Sequence, residues 1–82
     1  MRAVFVMIKC AMGKAYSVAQ EAADAIEELS EVHSISGQYD LLAKFYVDHE
    51  RDIGRFVTEK VQTLPGVQDT YTLIGFNAFT RG

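Results

Sequence analysis

A chain of 82 residues with a formal charge of −3 and 49% hydrophobic residues holds enough apolar material for one small core. That composition excludes disorder, no apolar run reaches the roughly 18 residues of a membrane span, and the scattered Lys and Arg leave no basic footprint for direct contact with nucleic acid. The single cysteine, Cys10, permits no internal disulfide, and the N-terminus lacks the basic region and long apolar core of a signal peptide, so a cytoplasmic location is expected.

In chain order, residues 3–10 are β-branched, aromatic and continuous, which predicts a strand buried on both faces. Ser17 and Gln20 have capping-box spacing. Val18, Ala22, Ala25, Ile26 and Leu29 then recur at helical intervals, with Gln20, Glu21, Asp24, Glu27 and Glu28 on the opposite side. Residues 32–36 predict a short strand, Ser36 to Asp40 a turn, and residues 41–47 another strand that pairs with residues 32–36 as a hairpin. Asp48 is placed to cap a second helix whose stripe is Ile53, Phe56, Val57, Val61 and Leu64, stopped by Pro65 and Gly66. Residues 67–79 predict a final strand with a bulge or bend at Gly75.

The order βαββαβ predicts an α+β fold of the ferredoxin-like type: a four-stranded antiparallel sheet with two helices on one face, in a single domain spanning residues 1–82. Two helices cover only one face. In the first strand Val4, Val6 and Ile8 stand opposite Ala3, Phe5 and Met7, and in the third Leu41, Ala43, Phe45 and Val47 stand opposite Leu42 and Tyr46. An uncovered apolar face of that size marks an interface, so the expectation is an obligate dimer, sheet facing sheet, in the manner of a dimeric α/β barrel.

The turn gathers a glycine, a phenol and a carboxylate. Gly37 supplies a positive φ, backbone N–H groups near Gly37 and Gln38 can face an anion, and Asp40 can hold a cation, which together suit an amino acid. The string Val32-x-x-Ile35-Ser36-Gly37-Gln38-Tyr39-Asp40-Leu41-Leu42, followed by Leu64-Pro65-Gly66-Val67-x-x-Thr70-x-Thr72, resembles the effector-binding or RAM domain of the Lrp/AsnC family. The resemblance implies face-to-face homodimers assembling into tetramers, octamers or larger rings, and a site for an amino acid or similar small effector at contacts between dimers. It implies that Gly37, Gln38, Tyr39 and Asp40 form the ligand loop and that Thr70 and Thr72 complete it from the last strand. Asp40 would take the α-ammonium and the loop amides the α-carboxylate.

The residues by themselves leave plainer roles open. Gly37 can simply make the turn, Asp40 can bond its own backbone, Tyr39 can pack at an assembly contact, and Thr70 and Thr72 are ordinary strand residues. The chain has no N-terminal helix-turn-helix, so the resemblance is to the stand-alone form of the domain. Its targets would be full-length Lrp/AsnC regulators through mixed assembly, or a metabolic enzyme. No cofactor, metal or catalytic set is expected: His33, His49 and Cys10 have no metal-ligand spacing, and no nucleophile elbow or phosphate loop is present. Three other classes share the topology. An ACT-like regulatory domain would use a glycine at the position of Gly13 and pair side by side. A small dimeric α+β-barrel enzyme would need polar groups between its sheets. An RNA-recognition motif would use strand aromatics such as Phe45 and Tyr46, without the basic signature that RNA requires.

Overall fold

In the computed structural model, which describes residues 1–81, four strands form one sheet in the order β2-β3-β1-β4, all neighbours antiparallel. The strands are β1 (Arg2–Cys10), β2 (Leu29–Ser34), β3 (Leu41–Val47) and β4 (Val67–Ile74). Helix α1 (Ala15–Ala25) connects β1 to β2. A second helical segment, α2 (Ile53–Phe56) continued by a π-helical turn over Val57–Val61, connects β3 to β4. This is the expected βαββαβ order.

The period of two in the strands decides which side chains meet the helices. Val4, Val6 and Ile8 of β1 and Leu41, Ala43, Phe45 and Val47 of β3 are fully buried, and Val18 and Ala22 of α1 and Ile53 and Phe56 of α2 are buried with them. Phe45 meets Phe56 edge to face, ring centroids 5.2 Å apart at 75°. The alternate residues Ala3, Phe5, Met7, Leu42 and Tyr46 stand on the other side and remain partly or largely exposed. The sheet therefore has one covered and one open apolar face.

Several element boundaries differ from those read in the sequence. Helix α1 starts at Ala15, two residues before Ser17, because the Lys14 N–H closes a turn onto the Ala11 carbonyl (2.9 Å). Ser17 thus lies inside the first turn, and its hydroxyl donates back to the Lys14 carbonyl (2.9 Å) instead of capping. The helix ends at Ala25, which is exposed, and Leu29 is the first residue of β2. Tyr46 N–H bonds to the Glu28 carbonyl, so pairing with β3 captures the chain earlier than residue 32, with a bulge between Leu29 and Glu31. At the other end Ile35 and Ser36 leave the strand, Ile35 N–H closing the hairpin onto the Asp40 carbonyl (2.9 Å).

The cap of α2 is Asp52, whose Oδ1 accepts the Arg55 N–H (3.1 Å). Asp48 forms the preceding turn instead, its carbonyl accepting the Arg51 N–H (3.0 Å). Strand β4 stops at Ile74, not Phe79. Gly75 N–H makes one further bond to the Ala3 carbonyl (2.9 Å), and residues 76–81 have no regular secondary structure. The ladder with β1 thus ends at the Val4–Ile74 pair and this one bond.

Candidate functional site

The β2–β3 turn is held from three directions. Gly37 adopts φ +122°, a conformation that L side chains rarely take, and space around its missing Cβ is open to 4 Å. Asp40 N–H donates to the Ile8 carbonyl (2.9 Å), and its Oδ2 accepts the backbone N–H of Cys10 (2.8 Å). The β1–β3 ladder has run out at Ile8 and Leu41, so the Cys10 amide has no strand partner on that side and takes the carboxylate. Asp40 is therefore a tie from the hairpin to β1, and not a cap on its own turn. The Lys9 ammonium donates to the Gln38 carbonyl (3.3 Å), a second link between the same two elements.

Cys10 is buried, and that burial followed by the charge of Asp40 raises its thiol pKa above the ordinary value. The shift keeps the group mainly in its thiol form at neutral pH, which disfavours a role as nucleophile. Asp40 also borders an open depression of about 250 Å³ shared with Ala11, Gly13, Ala15 and Tyr16. The fold thus joins the β1–α1 loop to the hairpin turn, two segments separated by 20 and more residues in the chain. Tyr16, 78% exposed, is a member of this site that its helical position in the sequence gave no reason to select.

Of the six residues selected from sequence, Tyr39 and the two threonines lie on opposite sides of the sheet. Tyr39 stacks on Tyr71, ring centroids 6.3 Å apart at 18°, and Tyr71 is the register partner of Met7 on the open face. Thr70 and Thr72 are the partners of Ile8 and Val6, so their side chains stand on the helix side. They line a groove of about 430 Å³ between β4 and the second helical segment, with Ile53, Thr58 and Gln62. Gln62 Nε2 donates to Thr70 Oγ1 (2.8 Å). The π-helical turn sets this contact: its extra residue per turn, seen in Gln62 N–H bonding to the Val57 carbonyl, changes the angular position of Gln62 from that of a regular helix. Within one chain, the threonines and the Gly37–Asp40 turn open onto separate cavities.

His33 pairs on the surface with Glu31 (Nε2 to Oε2, 2.6 Å), and no group of three metal-ligating side chains occurs among the described residues. No helix among them is long and apolar enough to cross a membrane.

Residues 3–81 match the family model of the Lrp/AsnC ligand binding domain. The chain belongs to this family. Among curated relatives, the helix-turn-helix-type transcriptional regulator FL11 of Pyrococcus abyssi is 31% identical over 70 residues, covering 85% of this chain and 45% of that protein. The chain spans less than half the length of the curated regulators it matches, from 31% to 45%. A solved chain of the same extent, TTHA0845 from Thermus thermophilus, superposes with a TM-score of 0.85 at 30% identity, covering 99% of this chain and 100% of that one. The fold also occurs in the regulator NMB0573 of Neisseria meningitidis, solved as an L-Met complex (TM-score 0.78, 17% identity, 98% of this chain and 53% of that one). The Lrp/AsnC relatives are regulators and not enzymes, and the family match assigns the hairpin motif to this domain and not to an ACT-type domain.

Proposed function

We propose that this Lrp/AsnC domain senses an amino acid or similar small effector and works as a sheet-to-sheet dimer that assembles further into tetramers, octamers or larger rings. The observation that carries the reading is the family match over residues 3–81, in a chain whose hairpin turn presents Gly37, Gln38 and Asp40 together. The L-Met complex of the Neisseria regulator supports the ligand class. Asp40 holds the effector's ammonium through the charge left after Oδ2 has taken the Cys10 N–H, and loop amides near Gly37 and Gln38 take its carboxylate.

Because the turn and the Thr70–Thr72 groove open in different places on one chain, both contribute to a single site only when neighbouring dimers bring one beside the other. Effector binding would then favour one assembly state by its difference in affinity between states. The downstream partner in this reading is a full-length Lrp/AsnC regulator joined through mixed assembly.

Calorimetry with the common amino acids on the 82-residue chain tests the reading, with Asp40→Asn as the informative variant. Asn keeps an oxygen for the Cys10 amide and removes the charge, so the fold should persist while affinity falls by about tenfold or more. If no amino acid binds at millimolar concentration, the sensor reading is wrong.

A further inference from the structure

We propose that the C-terminal arm, residues 75–81, clasps a second copy of this chain by laying Phe76 and Phe79 on the partner's open sheet face. This rests on the dimer reading above and names the segment of one protomer that completes the surface of the other. After the last bond from Gly75 to Ala3, the arm carries two of the most exposed large side chains in the structure, Phe76 at 92% and Phe79 at 95%. A bare phenyl ring forgoes one of the largest transfer energies available to a side chain, and two within four residues concentrate that loss. The run from Gly75 to Thr80 has no charged residue, so covering it strands no ion.

The arm's position points to the occupant. Phe76 and Asn77 border a groove of about 270 Å³ together with Phe5, Lys44 and Tyr46, which lie at the end of the open face. The Phe76 ring is therefore continuous with the sheet surface where Tyr46, Tyr71 and Leu73 remain 40%, 54% and 43% exposed, and Phe79 follows it three residues along the arm. Lys44, which lines this groove together with Arg2, lies over the Phe5 and Tyr46 rings (5.8 and 5.0 Å) and in register with Glu31, so aromatic faces and a nearby carboxylate of its own chain surround its charge. A two-fold axis places each arm over the other chain's face and covers both faces and both arms in one closed contact. An anionic membrane is a poor occupant for a chain of net charge −3.

Two measurements on the full 82-residue chain test this. Sedimentation equilibrium of Phe76→Ser/Phe79→Ser should show a dimer dissociation constant raised at least about a hundredfold, with unchanged far-UV circular dichroism because both rings are already exposed in the single chain. Isotope-filtered NOE spectra of a mixed labelled and unlabelled sample should connect the Phe76 and Phe79 rings to Phe5, Met7 or Leu42 of the other copy. A stable dimer whose dissociation constant is unmoved by the double variant, or whose arm shows only contacts within its own chain, overturns the arm inference and leaves the dimer reading standing. A wild-type chain that stays monomeric at all concentrations sinks both.

Discussion

At the scale of single residues, Asp40 has a structural duty whatever its ligand. Asp40→Ala leaves the Cys10 N–H unpaired in a partly buried position, which should cost about 1–2 kcal/mol in urea denaturation, whereas Asp40→Asn should cost well under half of that. The two glycines of the family string separate in the same way. Gly66 has φ +96°, and an added Cβ would lie 3.0 Å from Val18 Cγ2 and 3.1 Å from Lys14 Cβ. Gly37 has φ +122° with open space around it. Both alanine variants bear backbone strain of roughly 1–3 kcal/mol, and Gly66→Ala should be the worse because it also presses on the core. Equal midpoints for the two variants would contradict that ordering.

Glu28 offers a pH test at the same scale. Its carboxylate accepts a hydrogen bond from Arg51 (2.6 Å), which holds its pKa below the ordinary value. A carboxyl group with a lowered folded pKa contributes stability above its unfolded value of about 4.3, and that contribution disappears as pH falls through the folded value. Glu28→Gln should therefore be less stable than wild type by up to about 1 kcal/mol at pH 7, with the gap closing below about pH 4.

Among the elements, β1 and β3 are the two interior strands of the sheet, and their buried side chains share one core with the helical segments. Phe45 on the adjacent β3 is fully buried against Phe56, and Phe45→Ala should cost about 3–5 kcal/mol, enough to unfold a domain of this size at moderate temperature. The strands and the glycine turn were legible in the sequence because alternation, β-branching and a positive-φ residue are local signals. The helix boundaries were less so. Ser17 has the right spacing for a cap, yet the Ala11–Lys14 turn starts the helix sooner, and Leu29 fits the helical stripe until pairing with Phe45 draws it into β2. The π-helical turn at Val57–Val61 left no mark on the apolar periodicity, so the contact of Gln62 with Thr70 was hidden.

For the whole molecule, the sheet-to-sheet dimer proposed above accounts for the open apolar face that the helices leave uncovered. Light scattering of the purified chain should give a mass of at least twice 9.1 kDa, and Tyr46→Asp on the open face should lower it while the far-UV spectrum is kept. An amino acid that shifts this mass at fixed protein concentration would tie binding to assembly, as the proposed function requires.

The sequence by itself determined the order of elements, the identity of the two sheet faces and the hairpin motif, because each is written in near neighbours at periods of two or about 3.6 residues. It also placed Gly37 and Asp40 in one turn. Only the tertiary structure decided that Asp40 bonds to Cys10, that Tyr39 and the threonines stand on opposite sides of the sheet, and that the chain leaves β4 at Gly75 with two bare phenylalanines. Those facts depend on strand order and register, which bring together residues 30 and more positions apart and are set by how the whole core packs.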